Sequence, residues 1–283
     1  MAPEKAQPGW LVELHRSACV GAGMAADIAL NYPLWIVAKR IGVGIAPWPG
    51  SMPELYKGAG SLWISLGPTT MIEDASKRYI EAAVLPALPA AAQPANKELC
   101  SSVIAGAVAA ATFCSQVEHV ITASHAENLR MSETLRHLLD KRGGFKGLLV
   151  PPGILAMVGR EMPFVAALFY VRPAVTAYVY GAQEARGSDQ GAEPQAAPRR
   201  QLHLELLAGL TTAFMTCPFS HVPSVVAAYQ QGRGVGLQRA CSEIYREGGF
   251  KAFWRGLLAR TLSIAGTMTV VPVVVDALGG SDV

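Results

Sequence analysis

The feature that most constrains the fold of this chain is a unit that recurs three times. Three long apolar segments begin alike, each with a patch of small residues: 20–40, 104–124 and 207–230. Each segment then reaches a break, at Pro33, Gln116 or Pro218, and continues beyond it. Small residues let helices approach closely, and a proline inside a helix removes one backbone hydrogen bond and kinks the helix. We therefore expect one kinked helix in each unit.

A second element, aromatic–basic–glycine, follows these segments. It reads LYKG at 55–58 and FWRG at 253–256, and it is blurred to GGFKGLLVPPG at 143–153. A further apolar helix is expected after each element: 61–85, 154–180 and 257–278. A helix of about 25 residues crosses a bilayer core of about 30 Å when it is tilted. The sequence thus predicts an all-α membrane protein with six transmembrane helices in three pseudo-repeats.

The composition agrees with a membrane protein. Of the 283 residues, 51% are hydrophobic and 16% are charged, whereas a soluble domain has about 25% charged residues. The net charge of +3 is mild, so nucleic acid is not an expected partner. The first ten residues contain neither a signal-peptide core nor an Arg-rich amphipathic helix, so we expect any targeting signal to be internal.

The same pattern sets the expected domain boundaries. The three repeats are predicted at 10–86, 96–181 and 201–280, with a flexible Pro/Gly/Ala-rich linker at 182–200. Short amphipathic surface helices are expected at 127–144 and 236–249, where leucines or other apolar residues share one face and charges the other. The first unit is too short and too rich in proline to contain one.

Several of these segments together resemble the mitochondrial carrier family, over almost the whole chain. The motifs that carry the resemblance are NYPLWIVAKR (31–40), LYKG…LGPTT (55–70), GREMPF (159–164) and REGGFKAFWRG (246–256). The resemblance implies a multi-pass protein of the mitochondrial inner membrane, with its surface helices on the matrix side. It also implies that the chain is not an enzyme, and no Ser, His and acid residues form a recognisable nucleophile arrangement.

The resemblance further implies bound cardiolipin, whose phosphates are held at the starts of the even-numbered helices. Free backbone N–H groups and the helix dipole favour an anion at such a position. The alternative is that the same residues only anchor helix ends at the lipid headgroups. The residues concerned are Tyr56, Lys57, Gly58, Gly144, Gly147, Gly153, Trp254, Arg255 and Gly256.

Members of the family close each end of the cavity with a ring of ion pairs, and most of those charges are replaced here. On the odd-numbered helices the positions hold Trp35/Ala38, Glu118/Ile121 and Ser220/Pro223. On the even-numbered helices they hold Arg78/Glu81, Pro173/Thr176 and Asp276/Gly279, and a shift of one turn would recover Asp74 and Lys77. The predicted gate remnants are therefore Glu118, Arg78, Glu81 and Asp276. We expect neither ring to form, and Trp35 and Ile121 to close the matrix side by packing alone.

The substrate-contact positions implied by the resemblance are Ser65, Arg160 with Glu161, and Ser263. Together with Asp27 and Arg260 they are similar to those of S-adenosylmethionine carriers. A guanidinium can hold a carboxylate in a fork, and an acid can hold an ammonium or sulfonium. The alternative is that these charges only pair with one another inside the bundle. No metal site or other cofactor is expected, because the histidines lack ligand spacing and the five cysteines form no C-x-x-C.

Two functions follow from these observations. The first is a carrier fold without normal transport that serves as an accessory subunit of an inner-membrane respiratory or ATP-synthase complex. Its partners would be inner-membrane lipids, cardiolipin above all, and other subunits. The alternative is an active carrier of S-adenosylmethionine or a related amino-acid-like metabolite.

Overall fold

The computed structural model describes residues 9–89, 92–141, 145–188 and 201–279, which form helices and connecting loops without a strand in these ranges. In chain order the helices are α1 (Gly9–Val43), α2 (Met52–Leu55), α3 (59–87), α4 (Lys97–Glu127), α5 (Met131–Lys141), α6 (Phe145–Leu149), α7 (154–188), α8 (Leu202–Arg233), α9 (Leu237–Gly248) and α10 (Leu257–Ala277). Six of them are long and form three consecutive pairs: α1 with α3, α4 with α7, and α8 with α10.

The six long helices form a closed ring. Each packs on the next in chain order, and α10 packs back on α1. The C-terminal half of α4 also contacts α1 and α8, so the first helices of the three pairs converge at one end. We call this the surface-helix end, because α5 and α9 lie there, and we call the other the opposite end. The predicted all-α fold is confirmed.

Among the described residues, five helical segments are long and apolar enough to cross a membrane. They are Ala18–Val43, Lys97–Glu127, Gly147–Ala182, Leu202–Arg233 and Leu257–Ala277. The helix α3 is long enough but not apolar enough, because five charged residues fall between 73 and 81. It nevertheless completes the ring, so six long helices are present although five meet the composition of a membrane span.

Each second helix of a pair starts after a glycine in the left-handed conformation. The φ angles are 88° at Gly58, 88° at Gly153 and 80° at Gly256. This conformation is open to glycine and strained for other residues. In the middle repeat the glycine is Gly153, whereas Gly147 lies within α6 and Gly144 lies outside the described residues. The three glycines give the clearest evidence of the pseudo-repeat in the backbone.

The expected breaks in the first helix of each pair, α1, α4 and α8, take two forms. Pro33 and Pro218 lie inside the unbroken helices α1 and α8. In α4 a π-helical turn at Ala110–Cys114 comes just before Gln116. The Gln116 side chain donates hydrogen bonds to the carbonyl oxygens of Ala111 (3.2 Å) and Leu149 (2.9 Å). A polar side chain and a π-turn thus stand where the other repeats have a proline.

The predicted linker is shorter than expected. Helix α7 continues to Ser188, so residues 182–188 are helical rather than a flexible connector, and 189–200 lie outside the described residues. The two surface helices are found at α5 and α9, inside the predicted ranges. The first repeat has only the single turn of α2 at that place.

Candidate functional site

In the described part of the chain, six charged side chains lie buried in the interior of the ring. Each is at most 7% exposed, and together they comprise three acids and three bases, so their formal charges cancel. They come from α1, α3, α4, α7 and α10, and they are Lys39, Glu73, Glu118, Arg160, Glu161 and Arg260. We call this set the central charge cluster.

Glu118 on α4 is the centre of the cluster. Arg160 donates to both of its carboxylate oxygens at 2.5 Å, and the ammonium of Lys39 on α1 forms an ion pair with the same carboxylate. The Lys39 ammonium also lies over the Trp35 ring, 4.9 Å from its centroid. Sequence analysis found no base for Glu118 at the family's gate positions. It missed Lys39, which follows the Ala38 position by one residue and reaches Glu118 with its long side chain.

This network of contacts extends to α8, the first helix of the third pair. Lys39 Nζ lies 3.5 Å from Thr122 Oγ1, and Thr122 Oγ1 donates to Gln231 Oε1 on α8 at 3.2 Å. Ile121 is fully buried and packs with Tyr32 beside these contacts. The surface-helix end is therefore closed by packing and buried charges together. The expectation that Trp35 and Ile121 close it by packing alone is wrong.

The predicted pair Arg160 and Glu161 is part of the same cluster, since the two side chains form an ion pair. Cys114 Sγ lies 3.4 Å from Arg160 Nη2 and 3.6 Å from Glu161 Oε1. Cys114, Glu118 and Glu161 converge closely enough to ligate a metal ion. The guanidinium of Arg160 already lies among them, however, and supplies the positive charge that these acids need.

Glu73 and Arg260 complete the cluster without a bonding partner. Across the described ranges neither side chain makes a hydrogen bond or an ion pair. Glu73 interacts electrostatically with Glu161 and Arg160, and Arg260 interacts with Arg160 and with Cys217 on α8. Sequence analysis named Arg260 but missed Glu73. Its signal is the first charged residue after an apolar stretch, about two turns beyond Ser65 in the same helix.

The other predicted contact residues do not join the cluster. Asp27 accepts hydrogen bonds from Asn31 Nδ2 (2.6 Å) and from Thr267 Oγ1 of α10 (2.9 Å), so it lies between α1 and α10. Ser65 Oγ donates to the carbonyl of Leu62 and borders a groove of about 470 Å³ between α3, α4 and α5. Ser263 is buried in α10. The structure therefore brings Arg160 and Glu161 together and places Asp27 elsewhere.

The gate remnants at the opposite end pair along one helix. Arg78 forms an ion pair with Asp74, and Lys77 pairs with Glu81 at 3.0 Å. Asp276 lies in the last turn of α10, where its carbonyl accepts the N–H of Gly279 at 2.9 Å. The one-turn shift considered for α3 thus describes real pairs, but they do not span the interior.

Polar contacts join the three repeats at each of their interfaces. Between α3 and α4, Ser101 Oγ donates to Glu81 at 2.6 Å. Between α7 and α8, the buried Arg172 pairs with the fully buried Glu205. Between α10 and α1, the contact is that of Thr267 with Asp27. We call these three interfaces the seams. Sequence analysis missed the Arg172–Glu205 pair, although Arg172 directly precedes Pro173 at an expected gate position.

The basic residues predicted to bind lipid point toward the protein. Lys57 Nζ donates to the carbonyl of Ser124 at 2.9 Å, and burial lowers the pKa of Lys57. Arg255 donates to Glu247 (2.6 Å) and to the carbonyl of Gly42 (3.0 Å).

The aromatic residues of the same elements also contact the protein. Tyr56 Oη donates to the carbonyl of Ala29 at 2.9 Å. Trp254 stacks on His221, with ring centroids 6.2 Å apart. Both elements therefore fasten the starts of α3 and α10 to neighbouring helices.

Comparison with known families gives one match. The family model described as mitochondrial carrier protein matches residues 198–278. This segment includes the three helices of the third repeat, α8, α9 and α10, with Glu205, Gly256 and Arg260. A comparison with curated proteins returned no match.

Proposed function

We propose that the chain, whose residues 198–278 match the mitochondrial carrier family model, is a member of that family held in one conformational state. In this proposal it serves as a structural subunit of a respiratory or ATP-synthase complex in the mitochondrial inner membrane. The observation that carries the proposal is the difference between the two ends of the ring. Buried charges join helices across the interior at the surface-helix end, whereas those found at the opposite end join residues of one helix or of neighbouring helices.

The contacts at the two ends of the ring favour one state over the alternation that transport requires. A working carrier needs two closed states of similar free energy, each held by contacts that the other state breaks. Opening the surface-helix end would separate Lys39 and Arg160 from Glu118. Removing one partner of a buried ion pair costs about 3–5 kcal/mol. The charges of α3 already pair with each other, so closing the opposite end would form no new ion pairs from them. The free energy lost at the surface-helix end would therefore not be recovered there.

The seams support the same conclusion. Movement between the states requires the repeats to shift relative to one another, and each interface carries a polar contact that resists this shift. The Arg172–Glu205 contact is the strongest of these, because Glu205 is fully buried and Arg172 Nε also donates to the carbonyl of Met268 on α10 at 2.8 Å. A structural subunit benefits from such rigidity.

Bound cardiolipin is part of this proposal. The three glycine-headed helices present backbone N–H groups at the surface-helix end, and such groups bind phosphate well. Because Lys57 and Arg255 bond to the protein, the lipid phosphate would rest mainly on the backbone. The same helix starts would otherwise serve only to anchor the bundle at the headgroups.

The proposal is tested by native electrophoresis of membranes that contain the tagged, full-length protein, followed by mass spectrometry. We expect the protein to migrate in a large assembly together with subunits of one respiratory or ATP-synthase complex. A protein that always migrates alone would contradict the subunit role. Cardiolipin in the mass spectra of the purified protein tests the lipid component separately.

A second candidate function is an active carrier for S-adenosylmethionine or a related amino-acid-like solute. It is favoured by the interior position of Arg160, Glu161 and Arg260. Uptake of radiolabelled S-adenosylmethionine into liposomes, lost in Arg160→Ala but kept in the surface variant Arg239→Ala, would support it. Absence of uptake by the folded wild-type protein would exclude this substrate.

A further inference from the structure

We infer that the surface-helix end of the first repeat is a docking site for an acidic amphipathic helix of a neighbouring protein subunit. The site comprises Trp48 and Met52 in the connection after α1, and Arg233 and Arg255 beside that connection. We call these four residues the docking surface. The inference rests on the proposed subunit role, for which it names the contact surface and the kind of partner.

The first argument is that the first repeat lacks a helix that the other two repeats have. In those repeats an amphipathic helix packs on the end of the preceding long helix, α5 on α4 and α9 on α8. The helix α9 buries Ala240 and Ile244 completely against α8. In the first repeat the connection runs only from 44 to 57, against 128–152 and 234–255, and it contains the single turn of α2. The pseudo-repeat therefore indicates that the missing element is an amphipathic helix.

The second argument is the apolar surface that the missing helix leaves exposed. Trp48 is 62% exposed and Met52 is 66% exposed, and most residues from 44 to 53 are exposed as well. This stretch contains no charged residue, and its three prolines restrict the backbone. Tryptophan, methionine and arginine are enriched at protein interfaces, and a restricted connection loses little entropy on binding. The stretch is therefore well suited to contact another protein.

The third argument is a pair of bases beside this stretch. The guanidiniums of Arg233 and Arg255 converge at Gly44, since a Cβ added to that glycine would lie 3.7 Å from nitrogen atoms of both. The Arg233 guanidinium lies over the Tyr229 ring, 5.0 Å from its centroid. Within the described ranges Arg233 makes no hydrogen bond or ion pair. Its charge is therefore available to an acid from outside the chain.

The acids near this pair of bases already have partners. Glu247 accepts from Arg255 at 2.6 Å, and Glu243 accepts from Arg239 at 2.7 Å. Arg233 remains as the base without an acid of its own. An arginine holds a carboxylate in a fork of two hydrogen bonds, and complementary charge selects one partner over another. The docking surface therefore favours a helix that carries acidic residues beside its apolar face.

The position of the docking surface favours a protein over a lipid. Helix α8 has 32 residues and α1 has 35, so each is about 48 Å long or more and extends beyond a hydrocarbon core of about 30 Å. The ends of these two helices meet, because a Cβ on Gly232 would lie 2.8 Å from Val43. Arg233 and Gly44 follow these residues directly. They lie where the first helices of the pairs converge, and a segment outside the bilayer can reach them there.

The test is photo-crosslinking of the full-length protein in its native membranes, with p-benzoylphenylalanine placed at position 48 or 52. Tyr245 is the matched control position, because it is 61% exposed on α9 at the same end of the bundle. We expect positions 48 and 52, but not 245, to be joined to a second protein. Mass spectrometry of the joined peptides should identify an amphipathic segment with acidic residues, in a subunit of the same assembly.

Native electrophoresis of the same membranes separates this inference from the proposed function. If the protein migrates in a large assembly while positions 48 and 52 give only phospholipid adducts or none, the docking surface is wrong and the subunit role stands. If the protein migrates alone and gives no protein adduct, both are wrong. A joined segment without acidic residues would also overturn the inference.

Substitutions test the role of charge. Arg233→Gln should lower the crosslinking yield from position 48 about fivefold, as expected for the loss of an exposed ion pair, and Arg233→Lys should keep most of the yield. Arg246→Gln, at an exposed base of α9, is the matched control and should leave the yield unchanged. Replacing the acids of the identified segment by amides should lower the yield equally, with no further loss on adding Arg233→Gln. A yield from Arg233→Gln equal to that of the wild type would show that no acid binds there.

Discussion

The two ends of the helix ring use charge in different ways. At the surface-helix end, Lys39 and Arg160 meet at Glu118, and three helices are joined across the interior. At the opposite end, Asp74 pairs with Arg78 and Lys77 pairs with Glu81, each pair four residues apart on α3. Charges that join distant helices hold one end of the ring shut, whereas the pairs within α3 do not connect helices across the interior.

The difference is also one of burial. Glu118 and Arg160 have side chains only 6% and 5% exposed, whereas those of Arg78 and Glu81 are 50% and 34% exposed. Exposed pairs contribute about 0–1 kcal/mol, whereas breaking a buried pair costs several times more. The comparison therefore predicts a ranking of mutational effects by position in the bundle.

The largest effect is expected for Glu118→Gln. The substitution keeps the shape but leaves Lys39 without its anion and Arg160 with only Glu161. We expect a loss of about 3–5 kcal/mol in the free energy of unfolding, measured by chemical denaturation in detergent micelles. Glu81→Gln at the opposite end is the matched control, with an expected loss below about 1 kcal/mol. Equal losses in the two variants would remove the distinction between the ends.

The next largest loss in the free energy of unfolding is expected for Glu205→Gln, which leaves the buried Arg172 without a carboxylate in the α7–α8 seam. We expect the free energy of unfolding to fall by about 3 kcal/mol. The reactivity of Cys114 can show which end of the ring loosens in each variant. Cys114 lies beside Glu118 and far along the bundle from Glu205. Thiol labelling of Cys114 should become faster in Glu118→Gln and stay unchanged in Glu205→Gln. Faster labelling in both would mean that the two ends open as one unit.

The sequence predicted the helices and their repeat better than it predicted the contacts between charges. Small-residue patches and the glycine elements are local signals, and helix starts such as Ala59 and Leu257 depend on them directly. A charge pair such as Lys39 with Glu118 depends on the rotation of two helices, and one residue of displacement turns a side chain by about 100°. A flexible lysine side chain can make up that difference, which a fixed spacing rule does not allow for.

Glu73 and the Arg172–Glu205 pair were missed for a related reason. Neither belongs to a motif, and their importance comes from burial against helices that are distant in the chain. The middle repeat was harder still, because its glycine element is degenerate and only the left-handed conformation of Gly153 identifies the equivalent position.

A smaller effect is expected for Gly58→Ala, since the surface-helix end also holds the left-handed glycines. The new Cβ would lie 2.9 Å from Tyr32 Oη, and the residue would keep a φ of 88°. Strain of this kind costs about 1–3 kcal/mol. Gly60→Ala is the matched control, because it lies in α3 with no atom within 4 Å of its Cβ, and it should be neutral or slightly stabilising. Equal thermal shifts in the two variants would show that the left-handed start of α3 is not needed.

The smallest effect concerns Glu247 in α9, which accepts hydrogen bonds from Arg255 and Tyr229. Burial raises its pKa, but these bonds outweigh that influence and hold the pKa below its ordinary value of 4.5. A depressed pKa in the folded state adds stability above the unfolded value, and this stability is lost as the pH falls through the folded value.

We therefore expect the wild type to exceed Glu247→Gln by less than about 1 kcal/mol at pH 7. The difference should shrink below about pH 4.5 in denaturation curves recorded from pH 7 to pH 3. A difference that grows as the pH falls would mean that Arg255 does not stabilise the charged form of Glu247. The bond from Arg255 to the Gly42 carbonyl would then join the start of α10 to the end of α1 without including α9.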